Sequence, residues 1–257
     1  MASVEPNGKN VTINPLKLSQ PLGGATAFMG LDGCLPMLHA AQGCTAFALV
    51  LLVRHFREAI PLQTTAMNEV TTILGGMDNI EQALLNIKQR ANPALIGIAS
   101  TGLTETKGDD VNAYLRLIGQ KHGAALAGTA AVYASTPDYV GGFEDGWTSA
   151  VTAIVDAFAQ PAATRVAGRV NVLPGSHLTA GDLDELRTTI RAFGLDPVIV
   201  PDISGSLDGH LPDVFTPTTL GGATLDDVRG MGAAIATIAV GEQMRGPAAL
   251  LADKCGV

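Results

Sequence analysis

The residue with the clearest chemical potential is Cys44, in the stretch "LHAAQGCTAFALVLLVRHFRE" from Leu38 to Glu58. It stands where an apolar, helix-like run begins. A helix N-terminus favours negative charge, and thiolates are what iron–sulfur clusters require. Gly43 beside it leaves room for a bulky inorganic group. The plainer reading is a small buried hydrophobe at a helix start, since free cysteine is among the most buried residue types. One thiolate cannot hold a cluster alone, so the metal reading demands a partner chain that supplies the others.

Other chemistries find little support. No G-x-G-x-x-G or G-x-x-x-x-G-K-[ST] fingerprint occurs, and "GMGAAI" (230–235) carries Ile235 where a dinucleotide loop needs a small residue. No G-x-S-x-G elbow marks a hydrolase, and "GSH" (175–177) reads as a strand-to-helix loop. Neither C-x-x-C nor H-x-x-x-H provides paired zinc ligands. "SGSLDGH" and "LPDVFTPTTLGG" read as turns.

The elements that must position Cys44 follow an alternating pattern. A helix over 78–91 carries Ile80, Leu84 and Ile87 on one face, and "ALIGIAS" (94–100) follows as a buried strand. A helix over 109–122, a strand at 130–134 and a helix over 142–158 come next. After "AQPAATRVAGR" the cycle restarts, with "VNVLPG", a helix over 180–193 capped by Thr179 and Asp182, "GLDPVIVPD", "AIATIAVG" and a short helix to Lys254. Apolar strands separated by helices imply an α/β fold: Rossmann-like parallel sheets flanked by helices on both faces. The Ala/Pro-rich stretch near 159–164 divides it into an N-terminal unit, 1–164, which carries Cys44, and a second unit, 165–257.

Composition sets the outer bounds. The chain has 257 residues, 47% of them hydrophobic, enough for a sizeable core. Only 16% are charged, the net is −8, and no basic run appears, which argues against a nucleic-acid surface. Three scattered cysteines suit a reducing cytoplasm rather than a disulfide framework. The N-terminal segment lacks the apolar stretch of a signal peptide, and the run Ala46–Val53 is too short to span a bilayer.

Several ordered segments share one resemblance. "PLKLSQPLGGATAFMGLDGCLPMLHAAQGCTAF", "RHFREAIPLQTTAMNEVTTILGG", "STGLTETKGDD", "STPDYVGGFEDGW" and "SGSLDGH" together resemble the nitrogenase component 1 family, and more narrowly its cofactor-biosynthesis branch. The match runs in order from about Pro15 to the C-terminus. It implies a scaffold subunit, not a self-sufficient enzyme, that pairs with a homologous NifE-like chain in an α2β2 heterotetramer. On such a complex a transient iron–molybdenum cofactor precursor is matured, and the nitrogenase iron protein docks. A 4Fe–4S cluster lies between the two chains.

The resemblance also implies site residues. The catalytic nitrogenase β subunit supplies three cysteines to a larger cluster; the matching positions here are Ser19, Cys44 and Gly102. A serine hydroxyl is a poor substitute for a thiolate and glycine has no ligand atom, so Cys44 remains as the metal ligand. Three further thiolates are then expected from the partner chain. His39, Ser19 and Thr101 are candidates to line the cluster and tune it by hydrogen bonds. Cys34, in a "GLDGC" turn, and Cys255 match no ligand position and read as structural. The alternative within the family is a catalytic oxidoreductase subunit, a nitrogenase β chain or a dark-operative protochlorophyllide reductase type. Family members run to about three α/β domains, so this chain is expected to end within or just after the second.

Overall fold

Two parallel sheets, fed by alternating helices, organise the computed structural model, which describes residues 18–257. In chain order the elements are α1 (Gln20–Met29), β1 (Cys34–Leu38), α2 (Gln42–His55), β2 (Gln63–Thr64), α3 (Glu69–Leu74), α4 (Met77–Ala91), β3 (Leu95–Ala99), α5 (Gly102–Lys107), α6 (Val111–His122), β4 (Ala130–Ala134) and α7 (Phe143–Phe158). The second half contributes β5 (Arg169–Pro174), α8 (Ala180–Ala192), β6 (Asp196–Ile199), α9 (Leu225–Arg229), β7 (Ala236–Val240) and α10 (Arg245–Cys255). The first sheet has the order β2-β1-β3-β4 and the second β6-β5-β7.

The period-2 geometry of a strand explains how the first sheet is covered. Cys34 and Leu38 of β1, with Leu95 and Ala99 of β3, enter the main core. Their alternates Leu35, Met37, Ile96 and Ile98 join a second core on the other face. There α4 lays down Ile80, Leu84 and Ile87 at helical spacing, with Val111 and Ile118 of α6 beside them. The main core continues through Trp147, Val151 and Ile154 of α7 into Val170, Val172 and Leu173 of β5, so both sheets share it.

α1 is the element least evident from the sequence. All ten of its residues are buried, so it shows no polar face to read. Its glycines permit a close crossing with α7. A Cβ on Gly23 would stand 1.9 Å from the Phe143 carbonyl oxygen, and one on Gly146 would stand 1.9 Å from that of Gln20. Trp147 of α7 then donates its indole N–H to the Pro174 carbonyl at 2.9 Å, fixing the helix to the end of β5.

One expectation needs correction. Cys34 does not sit in a turn but opens β1, fully enclosed, because the apolar run Cys34–Leu38 is a central strand bonded to β3 on one side. The expected parallel sheets flanked by helices are present; β6 and β7 are the outer strands of the second sheet, and Ala236, Ile238 and Ala239 of β7 are exposed. Among the described residues no helix is long and apolar enough to cross a membrane.

Candidate functional site

The carboxyl ends of parallel strands gather the residues that chemistry can use, as the topology of open α/β sheets dictates. β1 ends at Leu38 and leads through His39 to α2, β3 ends at Ala99 and leads through Thr101 to α5, and β4 leads through Thr136 and Asp138 to α7. Ser19 precedes α1, whose Gln20 donates its side-chain amide to the Val140 carbonyl at 2.7 Å in the loop after β4. All four residues singled out in the sequence therefore belong to one end of the first sheet.

Their side chains behave differently. Cys44 is the third residue of α2 and is exposed. Its helix begins at Ala41 without a side-chain cap, and the space beside Gly43 is open. From Cys44 the helix runs on with Phe47 67% exposed, Val50 44% and Val53 51%, while Thr45, Ala48 and Leu52 face the core. Among the described residues, nothing covers this apolar helix face and its accessible thiol. α3 adds Val70, Ile73 and Leu74, all exposed.

His39 and Thr101 face inward. The His39 ring is fully buried, with Nδ1 2.9 Å from Thr65 Oγ1 and Nε2 3.3 Å from Asp109 Oδ2. A carboxylate only accepts, so Nε2 carries the proton and Nδ1 accepts from the threonine hydroxyl. Burial holds the His39 pKa below its ordinary value, against the pull of Asp109. Burial works against the Asp109 charge as well, yet hydrogen bonds from Lys107 at 2.8 Å and Tyr114 at 3.1 Å outweigh it and keep the carboxyl below its usual range. Thr101 and Thr104 both donate to the His39 carbonyl, at 3.1 and 3.3 Å. These bonds fix the backbone from which α2 departs. Ser19 is half-buried and offers α1 no side-chain cap.

Gly102 is explained by a neighbour that sequence reasoning missed. A Cβ there would lie 2.1 Å from Asp138 Oδ1 and 3.2 Å from the Tyr139 ring, so that carboxylate fills the space a side chain would need. The motif "STPDYVGG" contained the signal, but nothing in its spacing revealed which residue it faced. The two other thiols are withdrawn. Cys34 is enclosed and burial pushes its pKa far up; burial also raises that of Cys255.

Known proteins share the sequence pattern and the fold of this chain. Residues 19–257 match the family model described as "Nitrogenase component 1 type Oxidoreductase". The chain belongs to the nitrogenase component 1 type oxidoreductase family. It is 56% identical over 260 residues to the nitrogenase iron-molybdenum cofactor biosynthesis protein NifN of Bradyrhizobium diazoefficiens, covering 100% of this chain and 55% of that one. To the NifN protein of Nostoc sp. it is 50% identical, covering 100% of this chain and 57% of the relative. A solved structure titled "Nitrogenase Cp1 at pH 6.5" superposes with a TM-score of 0.90 at 31% identity, over 100% of this chain and 55% of that one. The chain thus spans about half the length of the curated relatives it matches. Among the described residues Cys44 is the exposed thiol.

Proposed function

We propose that this chain acts in nitrogenase iron–molybdenum cofactor biosynthesis, as a scaffold subunit that pairs with a NifE-like chain and shares a 4Fe–4S cluster with it. The observation that carries this reading is the exposed Cys44 on the uncovered apolar face of α2. The donor set here fits one corner of such a cluster and no more, because Cys34 and Cys255 are buried. The remaining thiolates come from the partner. When bound, the cluster supplies one-electron redox capacity at the interface.

The chain's own residues perform the positioning. The buried bonds of His39, Thr65, Thr101 and Thr104 hold the loop between β1 and α2, so Cys44 is presented from a fixed backbone. Phe47, Val50 and Val53 supply the apolar contact that a partner would bury. On the assembled complex the iron–molybdenum cofactor precursor is cargo, and the nitrogenase iron protein docks transiently, in the cytoplasm. The catalytic oxidoreductase alternative fits less well: Asp138 occupies the space at Gly102 where a further ligand side chain would have to stand.

The test is iron and sulfide content per chain, measured alone and with a NifE-like partner. Almost none is expected on the isolated chain, and a cluster with a reduced-state paramagnetic signal on the pair. Cys44→Ala should abolish or strongly weaken that signal while leaving the thermal melting of the isolated chain unchanged. An unaltered iron count in the variant pair would refute the ligand assignment.

A further inference from the structure

Beyond the thiol site, one side chain just after α2 meets a hydrogen-bonded Asp208–His210 pair from a distant loop. Glu58 follows that helix, and Asp208 and His210 lie in the loop after β6. Donor atoms of all three lie within 4.8 Å of one another. Glu58 is 9% exposed; one of its oxygens accepts the Gly209 backbone N–H, while Oε2 is buried with no hydrogen-bond partner. Neither Glu58 nor Asp208 is paired with a lysine or arginine among the described residues.

A second observation points independently to a ligand. Glu58 and His210 line a cavity of about 30 Å³ together with Ser206, which is 7% exposed and whose buried Oγ also lacks a partner. Buried polar atoms of native proteins are nearly always satisfied, so two orphans at one small cavity call for a missing partner. A volume of this size holds one ion or one water and excludes any organic ligand.

From this geometry we infer a mononuclear divalent-cation site formed by Glu58, Asp208 and His210. Two carboxylates balance the charge of a divalent ion, and Ser206 accepts from, or donates to, a water on its open position. An imidazole with two carboxylates and no thiol selects a first-row transition ion such as zinc over copper(I), and over the all-oxygen preference of magnesium and calcium. Ligand bonds of roughly 2.0–2.2 Å place tetrahedral donors about 3.4 Å apart, so the trio needs only side-chain adjustment to close on the ion. The ion joins the end of α2 to a loop 150 residues further on, where Glu58 already meets Gly209.

The experiment is a calorimetric titration of the metal-free chain with Zn²⁺, and with Mg²⁺ for comparison. It is done in a Cys44→Ala background so that the exposed thiol cannot bind the probe. One Zn²⁺ per chain is expected, with Mg²⁺ at least tenfold weaker and a rise in melting temperature on adding zinc. His210→Ala changes an exposed side chain and leaves the fold intact; it should weaken zinc binding at least tenfold and remove the melting shift. Asp208→Asn should do the same. Zinc affinity unchanged in both variants, or no stoichiometric binding in the parent, overturns the site and leaves the trio as a histidine held between two carboxylates.

Discussion

α1 and α2 are both apolar helices packed beside the first sheet, and their fates are opposite. Every residue of α1 is enclosed, whereas three of the fourteen residues of α2 are buried. The difference lies in the neighbours. Gly23 and Gly146 let α1 slot against α7 with no room to spare, while the outer face of α2 is left exposed among the described residues. Hydrophobic content alone therefore says that a helix must be covered, not which molecule covers it.

The comparison breaks first on the α1 side. Phe28 is fully buried, and its ring lies over Gly97, where a Cβ would stand 2.3 Å from Cγ. Phe28→Ala removes a large core side chain at a site that cannot easily collapse, and should cost about 3–5 kcal/mol in denaturant unfolding. Gly146→Val drives a branched side chain into the Gln20 backbone and should cost about 3 kcal/mol by overpacking. A loss below about 1 kcal/mol from either would show that α1 is held more loosely than its burial implies.

This contrast also marks what the sequence could reveal. The amphipathic helices α4, α6, α7 and α8 and the strands β3, β4 and β5 declare themselves by periodicity, and the structure places them within two residues of expectation. Thr179 and Asp182 do form the expected reciprocal cap of α8. α1 escaped because a helix buried all round has no period to detect. β1 escaped because Pro36 interrupts its apolar run and "GLDGC" ahead of it reads as a turn. At the site, Cys44 was singled out by its type and by the family resemblance, and the structure shows it exposed near a helix start. The Asp138 carboxylate at Gly102 and the His39–Asp109 pair were not, because they join segments 36 and 70 residues apart through the sheet topology alone.

A smaller effect tests the joint that holds the start of α2. The folded chain keeps the His39 pKa below 6.5, so the unfolded chain takes up the proton first as pH falls. Stability should be full above pH 6.5 and decline as pH drops from there toward the lowered folded value. His39→Gln should flatten that part of the stability curve. The contribution of Asp109, also lowered, is lost separately, below its ordinary value of 3.8. A His39→Gln curve that keeps the same slope just below pH 6.5 would place the dependence on another group.

The finest discrimination comes from α2 itself. Phe47 is 67% exposed and makes no core contribution, so Phe47→Ser should change the stability of the isolated chain by no more than about 0.5 kcal/mol. If the helix is an interface, the same change should weaken association with a NifE-like chain at least tenfold, since exposed aromatics that become buried dominate binding energy. Measured together, the two numbers separate an uncovered surface from a covered one. Loss of stability without loss of association would mean that α2 is packed by its own chain. Loss of neither would mean that the partner, if it binds, uses another face and leaves Cys44 outside the joint.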